Sequence, residues 1–248
     1  MIEEGVLARA VPSRSPAVKM FFPENRPFRG GPPLIEAAME RLGVSAEVTT
    51  ESTLPAGAGF GLSAAALLAS ISALSALFDL RLSDLAIASL AHEIEVIHRT
   101  GLGDVAACQG GGIECRRGPG ITAEIDRIPD PGRIIHAVSF GPIPTPHVLG
   151  DPARMEKIDR AFPGRCPRDI GDLFSLSRDF AERSGLVTPR VREVLAACDR
   201  AGVSASMTML GEGVFAFGEE AAPALSPFGE VFRLRIAARG FTRGEVIG

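Results

Sequence analysis

The 248-residue chain has no tryptophan, no tyrosine and two lysines, Lys19 and Lys157. With 26 basic against 30 acidic side chains and a net charge of −4, it lacks the cationic excess that a phosphate backbone demands. No tyrosine or tryptophan offers a stacking platform for bases, so nucleic acid is not an expected partner. Cysteine is scarce as well. Cys108, Cys115, Cys166 and Cys198 form no CxxC pair and no Cys/His cluster at zinc spacing, so four reduced, mostly buried thiols are expected and no metal knuckle. The opening residues are acidic and too poor in apolar side chains for a secretory signal, which points to a cytoplasmic protein. One uncharged run, residues 61–78, approaches the length of a membrane span. Its alanines and serines gain little from lipid, and a buried helix is the better expectation.

What is present is an ordinary globular composition, 46% hydrophobic and 23% charged, long enough for one large domain or two small ones. Strand-like pieces at 6–11, 18–22 and 46–50 surround a helical stretch at 33–42. Helices are expected over 63–78 and from Ser83, as N-cap, to about His98. Short strands should follow at 113–117, 121–125 and 134–140. The second part reads as helices near 151–162, 169–184 and 189–201, closing with strands near 204–209, 214–217 and 231–237. The mixture lacks strict βαβ alternation and predicts an α+β fold in two lobes, 1–150 and 151–248.

The chemistry begins at Leu54-Pro-Ala-Gly-Ala-Gly-Phe-Gly-Leu-Ser63-Ala64, between a strand and a helix. Glycines let the backbone turn its N–H groups inward, and a helix N-terminus adds partial positive charge, so the segment suits phosphate. A glycine-rich turn with no ligand is the alternative. Neither lysine stands in a GxxxxGK[ST] frame, which excludes a P-loop. Gly57 and Gly59 begin a dinucleotide fingerprint, but Leu62 occupies the place of its third glycine. Phosphate charge must then be met by backbone dipoles, a metal ion or arginine.

The next helix carries Ile87, Leu90, Ile94 and Ile97 at helical spacing, which predicts a buried stripe with His92, Glu95 and Arg99 on one flank. Beyond it, Asp104 is a carboxylate in the glycine-hedged run Thr100-Gly-Leu-Gly-Asp104-Val. Two carboxylates in different surroundings can divide labour, one binding Mg²⁺ and one taking a proton from a hydroxyl. Glu95 as a solvated helix residue and Asp104 as a plain N-cap are the alternatives. Alternation along 113–117 sets Arg116 opposite Ile113 and Cys115, where a guanidinium can grip a carboxylate bidentately.

Together these residues resemble the GHMP kinases, whose second motif, PxxxGLGSSA, is similar to Pro55-Ala-Gly57-Ala58-Gly59-Phe60-Gly61-Leu62-Ser63-Ala64. Phe60 replaces Leu and Leu62 replaces the first Ser. A third family motif resembles Ser206-Met-Thr-Met-Leu-Gly211-Glu-Gly213. Within the superfamily the archaeal pantoate kinases are the most similar, through Ala91-His-Glu-Ile-Glu95, Thr100-Gly-Leu-Gly-Asp104, Gly141-Pro-Ile-Pro-Thr145-Pro and Ser184-Gly-Leu-Val-Thr-Pro189.

The resemblance implies a two-lobed GHMP fold with a ferredoxin-like second lobe. It implies ATP cradled by residues 55–64 and Mg²⁺ held by Ser63 and Glu95. Asp104 would be the base, His92, Arg116 and Thr145 would face pantoate, and the enzyme would be a cytoplasmic homodimer of coenzyme A biosynthesis. Nothing before Val6 resembles the family's first motif, so an N-terminal strand is expected to be missing, leaving an unpaired sheet edge. Another small hydroxylated acceptor (homoserine, shikimate, mevalonate) and a nucleotide-binding protein without catalysis are the competing readings.

Overall fold

The computed structural model describes residues 1–23, 32–101, 103–143, 148 and 150–243; of Pro32 only the backbone is described. The first part is an α+β layer. Strands β1 (Leu7–Pro12), β2 (Ala17–Phe21) and β3 (Ala46–Glu51) form a sheet in the order β1-β3-β2, antiparallel on one side of β3 and parallel on the other. The parallel pair requires a crossover, supplied by α1 (Pro32–Leu42). Helix α1 buries Leu34, Ile35, Ala38 and Met39 on one face.

Helix α2 (Leu62–Leu77) runs between this sheet and α1 and α3 (Asp84–His98), which explains why the uncharged run is apolar on every side. Among the described residues no helix is long and apolar enough to cross a membrane. Helix α3 starts as expected, Ser83 accepting a hydrogen bond from the Ala86 amide at 3.1 Å. Its buried face differs from the expectation. Ile87, Ala88, Ala91, Ile94 and Glu95 are buried, while Ile97 is 64% exposed. Arg99 caps the helix in the left-handed region, so it leaves the flank that carries His92 and Glu95.

A short helix, α4 (Asp104–Ala107), leads into the hairpin β4 (Ile113–Arg116) and β5 (Ile125–Ile128). Pairing starts at Ile125, where 121–125 was expected to be a strand. Residues 118–120, Gly-Pro-Gly, widen the turn, and the first bond on its far side runs from the Arg117 amide to the Glu124 carbonyl. Strand β6 (Ile134–Pro142) then joins β7 (Ser204–Met207), β8 (Gly211–Phe217) and β9 (Phe232–Arg235) in an antiparallel sheet, β7-β8-β6-β9.

Helices α5 (Pro152–Ala161), α6 (Ile170–Ser184) and α7 (Pro189–Arg200) begin at Asp151, Asp169 and Thr188, each accepting from a first-turn amide. Their core is Val138, Ala181, Val191, Leu195, Met207 and Val214. Short α8 (Ala221–Leu225) was not foreseen. The outer edge of β1 has no strand beside it among the described residues, and Leu7 and Val11 are exposed.

The thiol expectation is overturned for two residues. Cys115 on β4 and Cys166, in the loop between α5 and α6, form a disulfide with Cα atoms 5.5 Å apart, while Cys108 and Cys198 are free and buried. The partners are 51 residues apart in sequence, so spacing gave no hint; the fold brings them within disulfide reach. Protein unfolded without reductant should therefore titrate two thiols, and after reduction four. Four from the start would show that the bond is not formed.

Candidate active site

The glycine loop is built by contact with the other end of the chain. At Gly59, φ is +79°, and a side chain there would lie 2.8 Å from the Met209 carbonyl. A side chain on Gly211 would meet the Ala58 backbone at 2.2 Å, so the two backbones touch as only glycine allows. The turn that receives the loop is tied by the Thr208 amide to the Gly213 carbonyl, 3.0 Å, and the Thr208 hydroxyl to the Gly211 carbonyl, 3.2 Å. The family-like strings around 55–64 and 206–213 are thus neighbours in space.

Within the loop, Phe60 and Leu62 turn inward and pack with Leu54, Ala137 and Phe232. Ala58 and Ala64 are buried, and Pro55 and Gly57 are half-buried. The side chains at 58, 60, 62 and 64 serve packing, which leaves backbone amides and Ser63 to meet a ligand. Gly61 is the N-cap of α2, with φ +68° and no side-chain cap. The first-turn N–H groups of a 16-residue helix are left for an anion, with the dipole behind them.

Two carboxylates stand at that mouth. A side chain on Gly61 would begin 3.3 Å from the Asp104 Cγ. Glu95 is 1% exposed and accepts a hydrogen bond from the Ser63 hydroxyl at 3.1 Å through Oε1; Oε2 is buried without a partner among the described residues. Gly101 backs it, since any side chain there would meet both carboxylate oxygens near 3 Å. Burial pushes the Glu95 carboxyl up to about 7, the Asp104 charge adds to the rise, and the Ser63 bond opposes it.

Asp104 presents surface to solvent from a floor ringed by protein atoms. That surrounding raises its carboxyl above the ordinary aspartate range, and the Arg116 guanidinium draws it back. Arg116, on β4, reaches to 3.7 Å from where a Gly103 side chain would start. Its neighbour Arg117 pairs instead with Asp126 across the hairpin.

The structure therefore gathers Gly57 to Ser63, Glu95, Asp104 and Arg116 around one helix mouth. His92 lies half-buried on α3, one turn before Glu95. Thr145 falls outside the described residues. Two contributors were not read from the sequence. Arg127 donates to the Ala106, Ala107 and Gly111 carbonyls and so fixes the C-terminal end of the helix that carries Asp104. Glu114, half-buried on β4, lies near Arg127 at 3.8 Å. Neither belongs to a sequence pattern that would have singled it out. Cys108, also close, is held near 12 by burial and by Asp104, and so is an inert thiol.

Among the described residues no three or more His, Cys, Asp or Glu side chains gather as a metal site. The unpartnered Glu95 oxygen and the close like charges nevertheless suit a divalent cation that takes its other ligands from substrate phosphates, as Mg²⁺ does.

Comparison with known proteins agrees with this architecture. The GHMP kinases N terminal domain matches residues 33–112. A pantoate kinase of Methanospirillum hungatei is 44% identical over 97% of this chain and 84% of its own length. This chain belongs to the pantoate kinase family. A second member, from Thermococcus kodakarensis, is 35% identical over 68% of this chain and 58% of its own. Among solved structures, a phosphotransferase related to the CoA biosynthesis pathway superposes with TM-score 0.75 at 27% identity, covering 96% of this chain and 85% of that one. Mevalonate kinase of L. major, solved with R-mevalonate, superposes at TM-score 0.67 and 15% identity over 96% and 88%, which shows a shared fold.

The Glu95 result gives a pH test on metal-free protein. Between about 4.5 and 7 the unfolded chain has lost this proton and the folded one keeps it. Stability from this group therefore falls as pH rises through that window, by on the order of 3 kcal/mol in all. Glu95→Gln removes the titration, so its midpoint of thermal unfolding should gain on wild type steadily from pH 5 to 7.5. A constant difference across that range would contradict the buried charge.

Proposed function

We propose that the chain transfers the γ-phosphoryl group of ATP to the primary hydroxyl of pantoate, giving 4-phosphopantoate. The observation that carries this is the meeting of an uncapped helix N-terminus, Ser63 hydrogen-bonded to the buried Glu95, and Asp104 at one point. Membership of the pantoate kinase family supports the choice of acceptor.

In this reading the amides of residues 57–63 hold the triphosphate. Asp104 accepts the proton of the primary hydroxyl as its oxygen bonds to the γ-phosphorus, and the bond from that phosphorus to the ADP oxygen breaks. The Arg116 guanidinium beside Asp104 favours its ionised, proton-accepting form. Arg116 also offers the planar fork that a carboxylate acceptor fits, with His92 and Thr145 assigned to the same substrate. Ser63 Oγ and the Glu95 carboxylate would hold Mg²⁺, which offsets charge on the phosphates when bound.

Because the transferring group is only loosely bonded at the transition state, positioning and charge stabilisation dominate, and the base contributes about 10²- to 10⁴-fold. Asp104→Asn should lower kcat by that factor while ATP affinity, measured by calorimetry, stays within about twofold. Turnover like wild type would remove Asp104 from the role of base. Arg116→Ala should raise KM for pantoate at least tenfold with a smaller change in kcat. Pantoate-dependent ADP release, with the phosphate found on the primary oxygen by ³¹P NMR, tests the activity itself. Release with mevalonate, shikimate or homoserine in place of pantoate would redirect the reading.

A further inference from the structure

Helix α6 is apolar on two faces. One buries Phe174 and Ala181 in the core. The other carries Leu173, Leu176, Ser177 and Phe180, the i, i+3, i+4, i+7 spacing of a continuous stripe. That second stripe does not join the core; it forms one wall of a recess of about 510 Å³. Strand β4 with Arg116 also lines it, as does Gly103, next to Asp104. Phe162, 59% exposed, stands at its rim. The Cys115–Cys166 bond joins β4 to the loop before α6, so a covalent link ties two parts of the lining together. Arg117 and Arg165 on the recess are committed to Asp126 and Asp172.

The geometry points to this recess as the seat of the branched aliphatic part of the acceptor, with Leu176 and Phe180 determining specificity. This rests on the proposed reaction. Pantoate carries two methyl groups on the carbon between its carboxylate-bearing half and the primary hydroxyl. With the carboxylate on Arg116 and the hydroxyl toward Asp104, the carbon that bears those methyls falls between Arg116 and Asp104, beside Gly103, and both Arg116 and Gly103 line the recess. An apolar stripe there gains from covering them and gains nothing from an acceptor that lacks them.

The test compares pantoate with 2,4-dihydroxybutyrate, which keeps the carboxylate and both hydroxyls and lacks both methyls. Leu176→Ala and Phe180→Ala should each raise KM for pantoate about tenfold with kcat within threefold, and leave kcat/KM for dihydroxybutyrate within threefold. The ratio of the two kcat/KM values would then fall about tenfold. The volume-conserving Leu176→Met should keep that ratio near wild type, and it serves as the control if an alanine variant does not fold. An unchanged ratio in the alanine variants, or equal losses on both substrates, would overturn the assignment. Wild-type enzyme that releases no ADP with pantoate would instead overturn the reaction on which it rests.

Discussion

The organising constraint is electrostatic. Two carboxylates, Glu95 and Asp104, are held near one another, Glu95 buried and Asp104 open to solvent on one side, and one oxygen of Glu95 has no hydrogen-bond partner among the described residues. Such an arrangement is costly in isolation and is tolerated when opposite charge is close. Three sources stand around it: the positive end of α2, the Arg116 guanidinium, and a cation that the unpartnered oxygen is suited to receive. The glycines at 61 and 101 matter because a side chain at either place would crowd the carboxylate beside it. The site is thus a balance of charge first, and its shape follows from what must be kept out of it.

That balance depends on parts distant in sequence. Asp104 is the first residue of a four-residue helix, too short to be stable alone. Its far end is fixed by Arg127 from β5, through three backbone carbonyls. The glycine loop likewise has little of its own to hold it; it leans on the 208–211 turn at backbone contact and on the end of β6, where Pro142 lies under Gly57. The sheet that receives it is made from β6 together with strands of the last fifty residues. The loop amides and the carboxylates are therefore positioned by two separate sheets.

How much of this was legible follows from the range of each interaction. The helix start at Ser83 was readable because a cap and its amide are three residues apart, and the starts read near 151, 169 and 189 fall within one residue of caps Asp151, Asp169 and Thr188. The glycine loop and Asp104 were readable because their chemistry is local too. The burial of Glu95 was not. Periodicity placed Ile97 in the stripe, but α3 rolls so that Glu95 takes a core position at the helix mouth and Ile97 faces water. Nothing in a hydrophobic pattern announces a carboxylate in a core position, because the gain comes from the site and not from packing. The Cys115–Cys166 pair and the Arg127 bonds were hidden for a simpler reason: they join segments whose proximity exists only once the sheets have formed.

The division of labour in the site bears on how such a fold selects its substrate. In the proposed reaction an uncapped helix end, a Ser–Glu pair and an aspartate would act on a phosphate chain and a hydroxyl, which every alcohol kinase must handle. They cannot by themselves tell one alcohol from another. The fold shared with a mevalonate kinase at 15% identity makes the same point from outside, since fold alone does not fix function. Discrimination must come from groups that touch what differs among acceptors. Polar matching by a guanidinium separates acids from neutral alcohols, whereas one carboxylate looks to Arg116 much like another. The remaining difference among small hydroxy acids is carbon, and carbon is recognised by burial; a second apolar stripe on a helix whose first already serves the core is where that recognition has material to work with.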